Sequence, residues 1–270
     1  MRREKWIRLV LIALSGLSVS WAKDLTYRHY KSTTGARMHV IELDPQMHQL
    51  RLIVSPSRKK AVLSKLVKRH PDALAAINGG FFMKNGDPSG FFKHQYWWSH
   101  GKKRRGVVGF GDSGLPQEVY FDQLMRRSGV TTSPWSGAQW WDKVGFVVEG
   151  APLMIRDGHI MDLNSEQMLP SFIRNRYARS GICLRSNHEV LLVMASGGDR
   201  QSHKLGYRRG LSLYQFAKEM QKLGCLQALN LDGGYSSSML FQGKVINGHW
   251  MQRLQARPIA NAIAVVPVKK

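Results

Sequence analysis

Acidic residues are scarce in this chain: 18 Asp and Glu stand against 40 Lys and Arg in 270 residues, a formal charge of +22 at neutral pH. Such an imbalance disfavours cationic partners and points to an anionic surface or polymer. Cysteine is scarcer still. Cys183 and Cys225 are the only two, and without a histidine cluster beside them they argue against a zinc site. Each sits in an apolar strand-like or helix-end context, so a disulfide and a pair of buried thiols both stay open. The ten histidines form no His-Glu-x-x-His motif and no pair four apart near an acidic ligand. Gly-x-Ser-x-Gly is absent, which argues against an α/β-hydrolase nucleophile. No helix-turn-helix, zinc-finger or RNA-binding signature accompanies the charge. Low-complexity tracts and long-period repeats are also missing.

Long apolar runs are few, and the most telling one is N-terminal. Arg2, Arg3, Lys5 and Arg8 precede an apolar stretch from Leu9 to Val19, and Ser20 and Ala22 suit a signal-peptidase cleavage site. Residues 1–22 are read as an export signal; the run is short for a spanning helix, which disfavours an uncleaved anchor and a stable span after cleavage. The remaining 23–270 suit one domain and hold 36 basic and 17 acidic residues, a formal +19. Export sets nucleic acid aside as the partner. A cell-envelope polyanion or phosphorylated glycan fits better, with a merely soluble basic surface as the plain alternative.

Alternation and punctuation give a coarse outline. Tyr27–Tyr30, Met38–Leu43, His48–Val54, Ala73–Ile77, Val107–Phe110, Glu118–Phe121, Phe146–Glu149, Pro152–Ile155, Ser180–Leu184 and Val190–Ala195 read as strands. A short helix is expected over Ala61–Arg69, stopped near Pro71. The clearest helix runs from Leu213 to Leu223, with Ser212 and Gln215 as a capping box and Gly224 as the stop. Many short strands with few helices predict an α+β fold, a mixed β-sheet core in a single domain.

Two segments share a grammar that packing alone does not require. Leu226–Asn230 is a short apolar run that delivers Leu231-Asp232-Gly233-Gly234-Tyr235-Ser236-Ser237-Ser238-Met239. Ala73–Ile77 likewise delivers Asn78-Gly79-Gly80-Phe81-Phe82. Glycines let backbone approach a ligand closely, successive amides can form an anion nest, and hydroxyls add donors. A tight turn capped by Asp and Ser is the plain reading of either segment alone. The tail Arg257-Pro258-Ile259-Ala260-Asn261 adds an Arg and an Asn at the mouth of a last strand. The two Gly-Gly turns are expected to face one another.

These blocks, in this order, resemble the phosphodiester glycosidase family, which includes the lysosomal "uncovering" N-acetylglucosaminidase domain and bacterial secreted proteins. The first block is intact at Ile77–Phe82. The second appears as Arg179-Ser180-Gly181, with Ser and Gly where Thr and Ala are common. The third has Tyr235 for a glycine and Ser238 for Thr, and the fourth is Arg257 with Asn261. Gly150-Ala151-Pro152-Leu153 and Asp157-Gly158 look like the family's central hairpin. The likeness runs from about Leu74 to the C-terminus.

The resemblance implies a hydrolase that breaks the bond between a sugar's anomeric carbon and a phosphodiester. Ordinary glycosidases need two carboxylates, one of them protonating the leaving group. A phosphodiester oxygen leaves readily as an anion, so the protein must chiefly neutralise phosphate and support an oxocarbenium-like centre. On that basis Arg179 and Arg257 would clamp phosphate. Asp232 would orient or deprotonate water, or stabilise the developing positive charge. Asn78 and Asn261 would bind sugar hydroxyls or fix Asp232. Gly79, Gly80, Gly233, Gly234, Ser236 and Ser237 would line the substrate. An Arg257–Asp232 structural salt bridge is the competing role for both. No cofactor is required by these residues; a divalent cation between Asp232 and phosphate stays open.

Other features weigh less. Glu149, before Gly150, reads as a second carboxylate for the site or, as the stronger expectation, as an exposed strand-end carboxylate. Asp199 and Arg200, after Gly197-Gly198, belong to a loop that either rims the site or is solvated. The stretch Tyr96 to Arg105 mixes aromatics with Lys102, Lys103, Arg104 and Arg105, reading as a glycan grip or as core aromatics beside a solvated basic loop. Two other classes of function compete: a non-catalytic envelope-polyanion-binding module, motivated by Tyr235 and Ser180-Gly181, and a serine-dependent esterase using Ser236, Ser237 or Ser238.

Overall fold

The computed structural model describes residues 25–268 apart from 45, 57–58, 96, 102, 112–118, 136–138, 197–209 and 247–256. The export signal, the Asp199–Arg200 loop, Tyr96 and Lys102 lie outside the described residues. Within them the strands form three sheets. The largest has the order β1 (Thr26–Lys31), β2 (Arg37–Leu43), β14 (Val190–Ala195), β13 (Arg179–Leu184), β15 (Gln227–Asn230), β11 (Leu153–Arg156) and β12 (His159–Ile160). The second runs β6 (Trp97–Ser99), β5 (Phe92–His94), β10 (Phe146–Glu149), β7 (Arg105–Phe110), β8 (Val119–Arg127) and β9 (Val130–Thr132). The third runs β17 (Lys244–Val245), β16 (Met239–Phe241), β4 (Ala75–Asn78), β18 (Asn261–Pro267) and β3 (His48–Val54). The pairings within these sheets are antiparallel.

Period-two alternation decides which face of each sheet meets which core. Val190, Leu192 and Met194 of β14 enter one cluster together with Leu50 and Leu52 of β3, Val108 and Phe110 of β7, and Ile263 and Val265 of β18. The three sheets therefore share a central core. Their outer faces are covered separately by short helices. Leu191, Val193 and Ala195 pack with α4 (Leu213–Lys222), while Ala262 and Ala264 pack with α1 (Leu63–Val67). Val107 and Val147 pack with α2 (Trp140–Lys143). Buried on both faces, β14 reads as an unbroken apolar run rather than an alternating one.

The α+β class expected from the sequence is the one adopted: strands are 45% of the described residues and helix 14%. The Ser212–Gln215 capping box forms in full at the start of α4. Its Leu213, Phe216, Ala217 and Met220 are buried, and Gly224 follows in the left-handed region at φ +81, where only glycine sits without strain. The first helix is shorter than expected, and β8 is longer because it pairs with both β7 and β9. Cys183 and Cys225, left open between thiols and a bridge, form a disulfide between β13 and the turn that follows α4.

Candidate active site

Four chain segments end at one place. The β4 strand ends in Asn78, β13 begins with Arg179, β15 delivers Asp232, and β18 begins with Asn261. Asn78 ties three of them together. Its Nδ2 donates to the Asp232 carbonyl at 2.7 Å, and its Oδ1 accepts from Ser180 Oγ at 2.7 Å and from the Ser238 N–H at 3.1 Å. With the side chain fully buried, these bonds occupy both ends of the carboxamide. Of the two roles expected for Asn78, fixing Asp232 is the one its contacts fill.

The two Gly-Gly turns do meet: Asp232 N–H donates to the Gly79 carbonyl at 3.1 Å. Both glycines of the first turn are required by close approach. A Cβ on Gly79 would lie 1.9 Å from Asn261 Oδ1, and one on Gly80 would lie 2.3 Å from the Glu149 carbonyl oxygen. Gly80 N–H donates to Asn261 Oδ1 at 2.8 Å, and Gly79 N–H donates to the Asn261 carbonyl at 3.0 Å. In the second turn, Gly233 N–H donates to Asp232 Oδ1 and Gly234 N–H to the Ala178 carbonyl, both at 2.8 Å. The amides of Ser236 and Ser237 bond back to Gly233 and Gly234. An anion nest expected from these amides is thus not presented to a ligand. What the glycines supply is close packing of backbones.

Asp232 is partly accessible, and burial raises its pKa; the Ser236 hydroxyl, the Gly233 amide and the Arg257 charge oppose that rise. Arg257 is exposed, stands over the Phe82 ring at 5.5 Å, and makes no salt bridge with Asp232. The two charges act on each other across a gap, which leaves the guanidinium donors of Arg257 available to an incoming anion. Ser238 Oγ donates to the Ser236 carbonyl, so one of the three serines serves the turn.

Arg179 is held differently. Only 1% exposed, it donates Nε–H to the Leu211 carbonyl at 3.0 Å and Nη2 to the carbonyls of Phe172 and Asn175 at 2.7 and 2.9 Å. Phe172 belongs to α3 (Pro170–Arg174), and the guanidinium lies 5.0 Å from its ring and 5.3 Å from that of Tyr177. Burial lowers its pKa to about 10, so it remains a cation at neutral pH. Phe81 meets Phe172 edge-on at 6.0 Å. The first Gly-Gly block and Arg179 therefore rest on one aromatic support. Of the five guanidinium N–H groups, the two on Nη1 make no hydrogen bond among the described residues.

The departures from the family pattern have local reasons. Gly181 is pressed between β15 and α4, where a Cβ would lie 2.9 Å from the Leu229 carbonyl oxygen and 3.1 Å from Phe216 Cε1. Ser180 supplies the bond to Asn78. Tyr235 is 68% exposed and does not fill the space behind Asp232.

Glu149 corrects the expectation of an exposed strand-end carboxylate. It is 8% exposed, accepts from the Phe91 N–H at 2.7 Å, and is enclosed so tightly that a Cβ on Gly90 would fall within 2.0 Å of its carboxyl oxygens. Burial pushes its pKa up to about 7, against opposing help from Phe91 and Arg105. Nothing in the local sequence marks this carboxylate; only the distant glycines Gly90 and Gly101, which leave room for it, could have hinted at a buried group. Among the described residues no group of three or more His, Cys, Asp and Glu side chains is placed to hold a metal ion.

An accessible carboxylate and an exposed arginine thus lie at a junction braced by two glycine turns on an antiparallel α+β scaffold. The chain belongs to the phosphodiester glycosidase family, whose model matches residues 71–266. No protein of curated function matches it. Among solved structures, a hypothetical protein from Synechocystis aligns with TM-score 0.71 and 20% identity over 90% of this chain and 61% of its own. This chain thus spans under two thirds of that relative's length. The zebrafish N-acetylglucosamine-1-phosphodiester alpha-N-acetylglucosaminidase catalytic domain, auto-inhibited by its pro-peptide, aligns with TM-score 0.62 and 15% identity, covering 90% and 82% of the two chains. A putative exported protein from Burkholderia pseudomallei aligns with TM-score 0.55 and 15% identity, covering 86% and 74%. At these identities the structural likeness establishes the fold.

Proposed function

We propose that this protein is an exported hydrolase cleaving the bond between a sugar anomeric carbon and a phosphodiester oxygen, in an anionic envelope glycan or a nucleotide-sugar-like molecule. The carrying observation is the Asp232–Arg257 arrangement, a partly exposed carboxylate within electrostatic reach of an exposed guanidinium with no ion pair between them. Water attacks the anomeric carbon and gives its proton to Asp232. The carbon–oxygen bond breaks with its electron pair on the phosphate oxygen, which Arg257 neutralises, and Arg179 keeps a fixed positive charge nearby. The products are a free sugar and a phosphate monoester. Export is supported by the N-terminal signal pattern and by the Cys183–Cys225 bridge, which persists in oxidising compartments.

The test uses the purified chain with a panel of sugar-1-phosphodiesters in ¹⁸O-labelled water, with and without divalent cations. Label in the released sugar is the expected result. Label in the phosphate would mean phosphorus–oxygen cleavage and would overturn the reading, as would no turnover across the panel.

A further inference from the structure

A second feature lies on the second sheet, away from the Asp232 carboxylate. Trp98 and His100 at the end of β6, Arg126 on β8, residues 129–131 of the β8–β9 hairpin, and Gln139, Trp141 and Asp142 around α2 enclose an open groove of about 430 Å³. Its polar equipment is ordered. Arg126 Nη1 lies 2.9 Å from His100 Nε2, and because a guanidinium only donates, Nε2 is the acceptor and Nδ1 carries the ring hydrogen. Burial and the Arg126 charge lower the His100 pKa, so the ring is neutral at physiological pH. His100 stacks on Trp98 at 5.3 Å, and the buried Lys93 ammonium packs on the same indole at 4.8 Å. Lys93 donates to the carbonyls of Trp141 and Asp142 at 3.1 and 3.2 Å, which places a cation beneath the groove floor.

The charge around the groove is lopsided. Lys103 and Arg104, both exposed, precede Arg105, which pairs with Leu124 of β8. Arg126 is the one cation among the lining residues and Asp142 the one carboxylate, with the Lys93 ammonium beneath the floor. Aromatic edges, the exposed Val130, a side-chain amide and a neutral imidazole suit a pyranose, which offers a C–H face and hydroxyls. Arg126 suits an acidic substituent on it. We infer that this groove binds a segment of an acidic polysaccharide, one sugar ring against Trp98 and His100 with its acid group on Arg126. The inference rests on the reading of the chain as an envelope-glycan enzyme and gives that enzyme a second hold on a polymeric substrate. The groove is also rigidly connected to the site. Phe91 meets His100 edge-on at 5.9 Å and donates its N–H to Glu149, whose backbone carbonyl packs on Gly80.

Affinity electrophoresis and calorimetry with polygalacturonate, neutral dextran and linear polyphosphate test this, using the whole chain and two variants. Arg126→Glu removes a charge-assisted contact, and Val130→Asp adds an anion at a position 59% exposed, where folding is not at stake. Polygalacturonate is expected to bind, dextran not to, and either variant to weaken binding at least about tenfold. Small sugar-1-phosphodiester turnover should be unchanged in both. Absence of binding by the parent chain, undiminished binding by both variants, or polyphosphate bound as tightly as polygalacturonate would overturn the proposal. Polymer binding that falls in both variants while no phosphodiester is hydrolysed would leave the groove standing and remove the hydrolase reading alone.

Discussion

The Asn78 carboxamide holds the Asp232 backbone carbonyl at 2.7 Å while its oxygen takes the Ser180 hydroxyl and the Ser238 amide. One side chain thus connects β4, β13 and the loop after β15. Asn78→Ala leaves a buried hydroxyl, an amide and a carbonyl without partners. At roughly 1–3 kcal/mol for each unsatisfied group, the expected loss is about 3 kcal/mol or more, measured by urea denaturation. Turnover should fall with it, since Asp232 loses its backbone anchor.

Asp232→Asn should separate function from stability. Burial raises the Asp232 pKa, so the ionised carboxylate costs the folded state free energy that a neutral amide does not. The asparagine oxygen still accepts from Gly233. Phosphodiester turnover is expected to vanish while the melting temperature holds or rises. A variant that unfolds, or one that keeps its activity, would remove Asp232 from the centre of the reaction.

Glu149 sets a pH dependence of stability. Its folded pKa is about 7 against an ordinary 4.5, so between those values the native state holds a proton that the unfolded state has released. Stability therefore falls as pH rises through that window, and the full cost is present above pH 7. The shift corresponds to about 3 kcal/mol. Glu149→Gln keeps the acceptor for Phe91 and should flatten the decline between pH 5 and pH 8. Glu166, whose pKa burial also raises, acts in the same direction and leaves a residual slope.

The disulfide braces the two strands that carry the site. Cys183 lies four residues beyond Arg179 on β13, and Cys225 opens the segment leading to Asp232. For a separation of 42 residues, the loop-entropy relation gives about 4 kcal/mol. Denaturation midpoints of the oxidised chain and of Cys183→Ser/Cys225→Ser should differ accordingly. Equal midpoints would make the bridge dispensable and withdraw one support for an oxidising compartment.

What the sequence made legible was local. Alternation placed β3, short apolar runs placed β2, β10 and β14, and a capping box with a glycine stop placed α4, because those signals act within a few residues. The motif residues Asn78, Asp232 and Asn261 were legible as a group through the resemblance of their blocks to the phosphodiester glycosidase family, since they lie far apart in the chain and no local signal joins them. Short elements such as β9, β12 and α3 carry too few residues for a periodic signal. Glu149 was misjudged because its burial depends on Gly90 and Gly101, more than forty residues away, leaving space for a carboxylate. The amide directions of the Gly-Gly turns were equally hidden. The same sequence makes a nest or a self-satisfied turn, and tertiary partners such as Ala178 and Asn261 decide.

Salt separates the two kinds of charge in this molecule. Formal charge is +22 over the whole chain, and most Lys and Arg among the described residues are exposed, where attraction to a polymer weakens as the Debye length shrinks from about 10 Å at 0.1 M salt to about 3 Å at 1 M. Contacts between a small phosphodiester and the residues around Asp232 are expected to be screened less, because Arg179 is buried and short-range hydrogen bonds would carry the binding. Polyanion binding should therefore collapse across this range while small-substrate turnover declines modestly. Neutralising Lys102, Lys103, Arg104 and Arg105 together should reproduce the first effect at low salt and not the second. Equal loss of both activities would place that loop in the active site, and no change in either would make it a solvated basic loop.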